Sequence, residues 1–137
     1  MTDFAEMNAR VVEEFRNNAG VVGGFFEGMP LVLLTTTGAR SGAPRLSPVA
    51  YLEDGCVVHV FASKAGAPDN PGWYYNLKAN PELSVEQGTE TYRALASEVT
   101  GAERDRIYAA MATKFKNFAE YETMTDRTIP VLALTRM

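Results

Sequence analysis

Leu31-Val32-Leu33-Leu34-Thr35-Thr36-Thr37-Gly38-Ala39-Arg40-Ser41-Gly42-Ala43-Pro44-Arg45-Leu46-Ser47-Pro48-Val49-Ala50-Tyr51-Leu52 is the stretch whose reading decides the fold. Its apolar start reads as a buried strand, its two glycines as a turn, and Leu46 to Leu52 as a second strand. From Pro30 to Leu52 the only charges are Arg40 and Arg45, with no acid to neutralise them. Free backbone N–H groups, small hydroxyls and two guanidinium groups at one turn suit an anion, a phosphate above all. The same residues also fit an ordinary hairpin whose Gly, Ser and Pro simply make the turn. Spacing alone leaves both readings open.

Strand signals continue on either side of this stretch. Leu31 to Thr37, Leu46 to Glu53 and Cys56 to Ser63 follow one another, and Asp54-Gly55 is a strong hairpin signal between the last two. Leu83 to Gln87, Thr89 to Val99 and Arg127 to Arg136 add three more. Asn70 before Pro71 reads as a cap with proline at the first helical position. The short helix Gly72 to Ala79 follows and stops at Asn80-Pro81. Residues 3 to 19, with Phe4, Met7, Val11 and Phe15 at helical spacing, predict an amphipathic helix ended by Gly20. Thr100 with Glu103 predicts a capping box ahead of a helix running to about Phe118. Consecutive strands without regular intervening helices predict a fold that is mainly β with α additions, a small antiparallel barrel. The expected organisation is one domain over 1–137, with an N-terminal helix and linker over 1–24 and the barrel over 25–137.

Composition narrows the function. With 13 Lys and Arg against 17 Asp and Glu, the net charge is -4, which argues against a nucleic-acid or anionic-membrane binder. Any anion site is therefore a local exception on an acidic surface. A single cysteine, Cys56, excludes an internal disulfide, and with only His59 beside it there is no Cys/His metal set. Cys56 is expected to be a buried small apolar residue and His59 a structural one. No apolar run reaches the length of a membrane-spanning helix, and no basic-then-apolar leader opens the chain, so the cytoplasm is the expected compartment.

No conventional catalytic set is present: no nucleophile-elbow serine, no P-loop, no dinucleotide fingerprint. If the chain is an enzyme, a bound cofactor supplies the chemistry. Besides the arginine turn, two segments carry suitable groups. Ala62-Ser63-Lys64 ends a strand in a hydroxyl and an ammonium. Asn70-Pro71-Gly72-Trp73-Tyr74-Tyr75-Asn76-Leu77 opens a helix whose N-terminus favours an anion and whose aromatics suit a flat ring. Core filling is the competing role for those aromatics.

Together these three motifs, with Asn80-Pro81 and Thr125-Asp126-Arg127-Thr128-Ile129-Pro130-Val131, resemble the deazaflavin-dependent nitroreductases over about residues 25 to 137. The resemblance implies a split β-barrel, of the kind that also binds FMN, with about six strands and flanking helices. It implies binding of the reduced 8-hydroxy-5-deazaflavin, coenzyme F-420, and hydride transfer from its carbon 5 to quinones, nitroaromatics or other electron-poor acceptors. It assigns Arg40, Ser41 and Arg45 to the cofactor's phosphate and acidic tail, and Ser47, Pro48 and Val49 to the ring. Phe61, Ala62, Ser63 and Lys64 would contact deazaflavin and phosphate. Gly72, Trp73, Tyr74, Asn76 and Leu77 would close over the ligand.

The same resemblance places the acceptor against Phe115, Phe118 and Tyr121, and gives Tyr121 and Ser63 the catalytic roles. Two departures stand out. Ala39 replaces the first of a basic pair, and Phe115 and Phe118 replace tyrosines found in nitroimidazole-activating relatives, so quinones are the expected acceptors over nitro compounds. Alternatives within the same barrel class are a non-catalytic cofactor- or lipid-binding protein and an FMN-binding oxidoreductase. A homodimer is possible for this class, and peripheral membrane contact through Phe4, Phe15, Phe25 and Phe26 would suit a quinone substrate.

Overall fold

The computed structural model describes residues 4–23 and 28–137, with the side chains of residues 4–8 and 65 outside the description. Phe25 and Phe26, and the side chain of Phe4, therefore lie outside it. The elements are α1 (Phe4–Asn17), β1 (Leu31–Thr37), β2 (Pro44–Asp54), β3 (Val57–Phe61), a 3-10 turn (Lys64–Gly66), α2 (Gly72–Ala79), β4 (Glu82–Gln87), β5 (Glu90–Val99), α3 (Gly101–Lys114), α4 (Lys116–Thr123) and β6 (Val131–Arg136). The six strands close into an antiparallel barrel in the order β1-β2-β3-β6-β5-β4. The expected fold, mainly β with α additions, is the one observed.

Strand β1 shows why the barrel closes where it does. Its apolar run is buried on both faces: Val32 and Leu34 point into the barrel, while Leu31 and Leu33 pack outside against Val11 and Phe15 of α1. The barrel interior, lined by Val58, Val60, Leu83, Val85, Leu132 and Leu134, is filled at one end by Trp73, Tyr74 and Leu77 of α2. Outside, α3 and α4 cover β2, β3 and β6 through Ile107, Tyr108, Met111 and Phe118, which meet Leu52, Phe61 and Val131. Burial of these apolar faces is the main stabilising contribution.

Several local expectations need correction. The β2–β3 hairpin is present, but its two-residue loop is Gly55-Cys56, with φ of 59° and 67°, between paired Asp54 and Val57. A tight hairpin with positive φ at both central positions exposes its tip, so Cys56 is exposed and not buried. Pro71, not Asn70, caps α2, and Gly72 is its first residue. Thr100 does cap α3, but without a side-chain bond; Glu103 turns instead to Arg106, which also holds Asp54.

The long helix breaks at Phe115, whose backbone is extended (φ -132°, ψ 106°), so that α4 leaves in a new direction. The buried Tyr108 hydroxyl donates to the Phe118 carbonyl at 2.6 Å and anchors the start of α4. Phe15 is 1% exposed beneath α1, which removes it from any membrane contact. Among the described residues no helix is long and apolar enough to cross a membrane.

The plug of α2 is also hydrogen-bonded. The Tyr74 hydroxyl donates to Glu98 at 2.7 Å, and burial, reinforced by that carboxylate, pushes its pKa up to about 12. A tyrosine in the unfolded chain titrates near 10. The protonated form is thus favoured by folding, and this stability is fully present below pH 10 and lost as pH rises toward about 12. Urea unfolding followed from pH 9 to 12 should show stability falling in that window, and Tyr74→Phe should flatten the fall.

Candidate active site

A cleft of about 1140 Å³ opens where β2, the end of β3, the start of α2 and α4 meet. Its floor is Arg45, Ser47, Pro48 and Val49 of β2. Phe61, Ser63 and Lys64 form one side, Gly72, Trp73 and Asn76 another, and Phe118 and Tyr121 close it from α4. Twelve of the residues proposed from sequence thus face one space, and its walls are mainly carbon. The N-terminus of α2, with Pro71, Gly72 and Trp73 on the wall, presents its positive end to the cleft.

A second cavity of about 540 Å³ adjoins the first, and Arg45, Gly72 and Asn76 line both. Arg40 and Ser41 lie here. Neither Arg40 nor Arg45 has a carboxylate partner among the described residues. The turn between β1 and β2 is less open than its composition suggests. Gly38 N–H donates to the Ala43 carbonyl, Gly42 N–H to the Gly38 carbonyl, Ala43 N–H to the Ser41 hydroxyl, and Ala39 N–H to Asn76 Oδ1. Most of the N–H groups expected to be free therefore hold the turn itself, leaving anion affinity to the guanidinium groups. A Cβ at Gly38 would meet the Ser41 hydroxyl oxygen at 2.7 Å, so the loop folds tightly on its glycine. Asn76 also donates to Thr36 Oγ1 at 3.1 Å. Both ends of its amide are committed, and its role is to dock α2 onto this turn.

The loop from Ala62 to Asn70 is held by a residue whose role sequence did not reveal. Arg127 donates to the carbonyls of Ala62 (3.1 Å), Ser63 (2.9 Å) and Ala67 (3.0 Å) and to Asn70 Oδ1 (2.7 Å). One guanidinium gathers three carbonyls from one side of the loop, leaving the Ser63 hydroxyl, without a partner among the described residues, to face the cleft. Lys64 sits at the rim with φ of 47°, its ammonium 2.9 Å from Asp69, whose carboxyl it holds below the usual range. The buried Gly66 (φ 82°) lies so close to α4 that a Cβ would meet that of Met124 at 2.9 Å. This contact locks loop and helix together.

Four expected contacts are not in either cavity. Tyr74 and Leu77 point into the barrel core, Ala62 is fully buried with its backbone bonded to Pro130 and Arg127, and Phe115 packs beneath α3. Helical spacing cannot say which face of an eight-residue plug meets the ligand. Met29, Pro44, Leu46, Ala50, Ala67 and Asn117, which were not among the expected site residues, complete the wall. Every β2 residue from Pro44 to Ala50 lines the cleft, so strand alternation did not single out Leu46 and Ala50. His59, as expected, is buried and away from the cleft, its Nδ1 3.1 Å from the Val57 carbonyl.

A lysine cannot reproduce the planar fork of Arg127. Arg127→Lys should raise amide exchange over the described residues of the 63–70 loop by about tenfold while the barrel strands stay protected, measured by hydrogen exchange.

Comparison with known proteins identifies the family. The family model of F420H(2)-dependent quinone reductase matches residues 7–136. An F420H(2)-dependent quinone reductase of Mycobacterium tuberculosis is 36% identical over 126 residues, covering 89% of this chain and 85% of the relative. A solved F420-H2 dependent reductase is 42% identical with a TM-score of 0.70, over 77% of this chain and 93% of that one. Another solved structure, described as a domain-swapped dimer, is 36% identical with a TM-score of 0.72, over 96% and 99% of the two chains. With the match running nearly end to end, the chain belongs to the F420H(2)-dependent quinone reductase family.

Proposed function

We propose that the chain binds reduced coenzyme F-420 in the paired cavities and reduces a quinone held against the α4 wall. The observation that carries this reading is the junction at Arg45, which lines both the mainly apolar cleft and the adjoining cavity containing Arg40. A flat three-ring deazaflavin with an anionic tail matches that chemistry: apolar walls for the rings, unpaired guanidinium groups for phosphate and carboxylates. When bound, the reduced deazaflavin supplies hydride from its carbon 5.

The protein's own residues do the rest. Arg45 and Arg40 hold the tail, Ser63 and the α2 N-terminus offer polar partners to the ring edge, and Trp73, Phe61 and Phe118 exclude water. Tyr121 presents a hydroxyl to the acceptor. With proximity and desolvation as the main contributions, no general base is needed. Nitroaromatics are poorer acceptors in this reading, because Phe118 on the cleft wall carries no hydroxyl to meet a nitro group. FMN would use the same cations, and the absorbance of the bound cofactor distinguishes the two.

Pairing of two chains is supported by the domain-swapped relative, and sedimentation tests it. The acceptor's apolar character supports delivery from a membrane, although Phe15 has no part in it.

Titration with reduced coenzyme F-420 and menadione should show saturable binding and cofactor oxidation; no binding would remove this reading. Lys64 is already paired with Asp69, so its net contribution to the cofactor's anionic groups is reduced by the contact it gives up. Lys64→Ala should raise the cofactor Kd about fivefold, and Asp69→Asn, which frees the ammonium, should lower it about twofold, both by fluorescence titration.

A further inference from the structure

On α4, one turn apart, Asn117 and Tyr121 both face the cleft. Asn117 Nδ2 donates to the Tyr121 hydroxyl oxygen at 3.0 Å. That is the one hydrogen bond the Tyr121 hydroxyl makes among the described residues. A phenol oxygen that accepts an N–H on one side keeps its own proton for another partner. No described residue accepts that proton, and the cleft lies beside it. Phe118, edge-on to the Tyr121 ring at 5.2 Å, fixes the ring's tilt, and the Gly66–Met124 contact fixes the helix.

We propose that Asn117 is a positioning residue that turns the Tyr121 O–H outward, so that it donates to the carbonyl oxygen of a flat aromatic ketone or quinone. This inference rests on the reading of the cleft as the acceptor site. A donated hydrogen bond draws electron density from the carbonyl and makes its ring a better hydride acceptor. The i,i+4 spacing puts the amide within reach without a loop, so the orientation is set before the acceptor arrives. An aspartate at 117 has nearly the same shape but the opposite polarity. Its carboxylate accepts the Tyr121 proton and withdraws it from the cleft.

The test uses chromone, a flat bicyclic ketone, on the cofactor-free protein. Binding is read from the fluorescence of Trp73, the chain's single tryptophan and part of the cleft wall. The carbonyl stretch of bound chromone is read by infrared difference spectroscopy. In the wild type the carbonyl band should move to lower frequency. Asn117→Asp should abolish that shift and weaken binding about fivefold, as should Tyr121→Phe, while Asn117→Leu should weaken binding about twofold. In the Tyr121→Phe background, neither change at 117 should have any further effect.

A purely structural role for Asn117 predicts the reverse: losses that persist without the Tyr121 hydroxyl, and a carbonyl band unchanged by Asn117→Asp. Either result overturns the inference, as does an Asn117→Leu variant identical to the wild type. Failure of chromone to bind the wild type also overturns it. Cofactor binding measured separately then shows whether the wider functional reading survives.

Discussion

The barrel's interior must be filled, and α2 fills it. Six short antiparallel strands enclose a space that their own side chains do not close at one end, and Trp73, Tyr74 and Leu77 enter there. Once these three are committed inward, the helix has no freedom to slide. Its opposite face and its N-terminus must lie beside β2 and the β1–β2 turn, which is where the two cavities form. A cavity is then the residue of a packing problem solved elsewhere, and its position follows from apolar burial rather than from any interaction with a ligand.

Polar contacts then sharpen what packing has placed. Asn76 pins the plug to the arginine turn through Thr36 and Ala39, and Arg127 gathers the carbonyls of the loop that carries Ser63 and Lys64. Both residues spend their hydrogen-bonding capacity on backbone and neighbouring side chains. The groups left over, Arg40, Arg45 and the Ser63 hydroxyl, are the ones that face open space. The acidic exterior matters here too: most other cations, such as Arg16, Arg93 and Arg136, are matched to carboxylates, so the unpaired guanidinium groups stand out locally.

How much of this was legible depended on where the decisive contact lay. Strand β1 and helix α2 fall where the sequence puts them, because a continuous apolar run and a helix bracketed by Pro71 and Asn80-Pro81 carry their own boundaries. The arginine turn was legible as a cationic site, but the commitment of its N–H groups to Ala43, Gly38, Ser41 and Asn76 was not, since Asn76 lies 37 residues from Ala39. The break at Phe115 was hidden because the apolar stripe continues through it; the contact that anchors the new helix joins Tyr108 to a backbone carbonyl. Arg127 sat inside a recognised motif, yet its purpose depends on carbonyls some sixty residues earlier. Tyr74 and Leu77 were assigned to the ligand through the family resemblance, and a short helix's sequence does not show that both turn into the barrel instead.

The hairpin tip at Gly55-Cys56 has a practical consequence. Strand β2 lines the cleft from Pro44 to Ala50, and the thiol sits in the hairpin loop beyond its Asp54 end, outside the cleft lining. It is the chain's one sulfhydryl. A maleimide reagent, a gold surface or an electrode linker therefore attaches at one exposed point that is no part of the cleft wall.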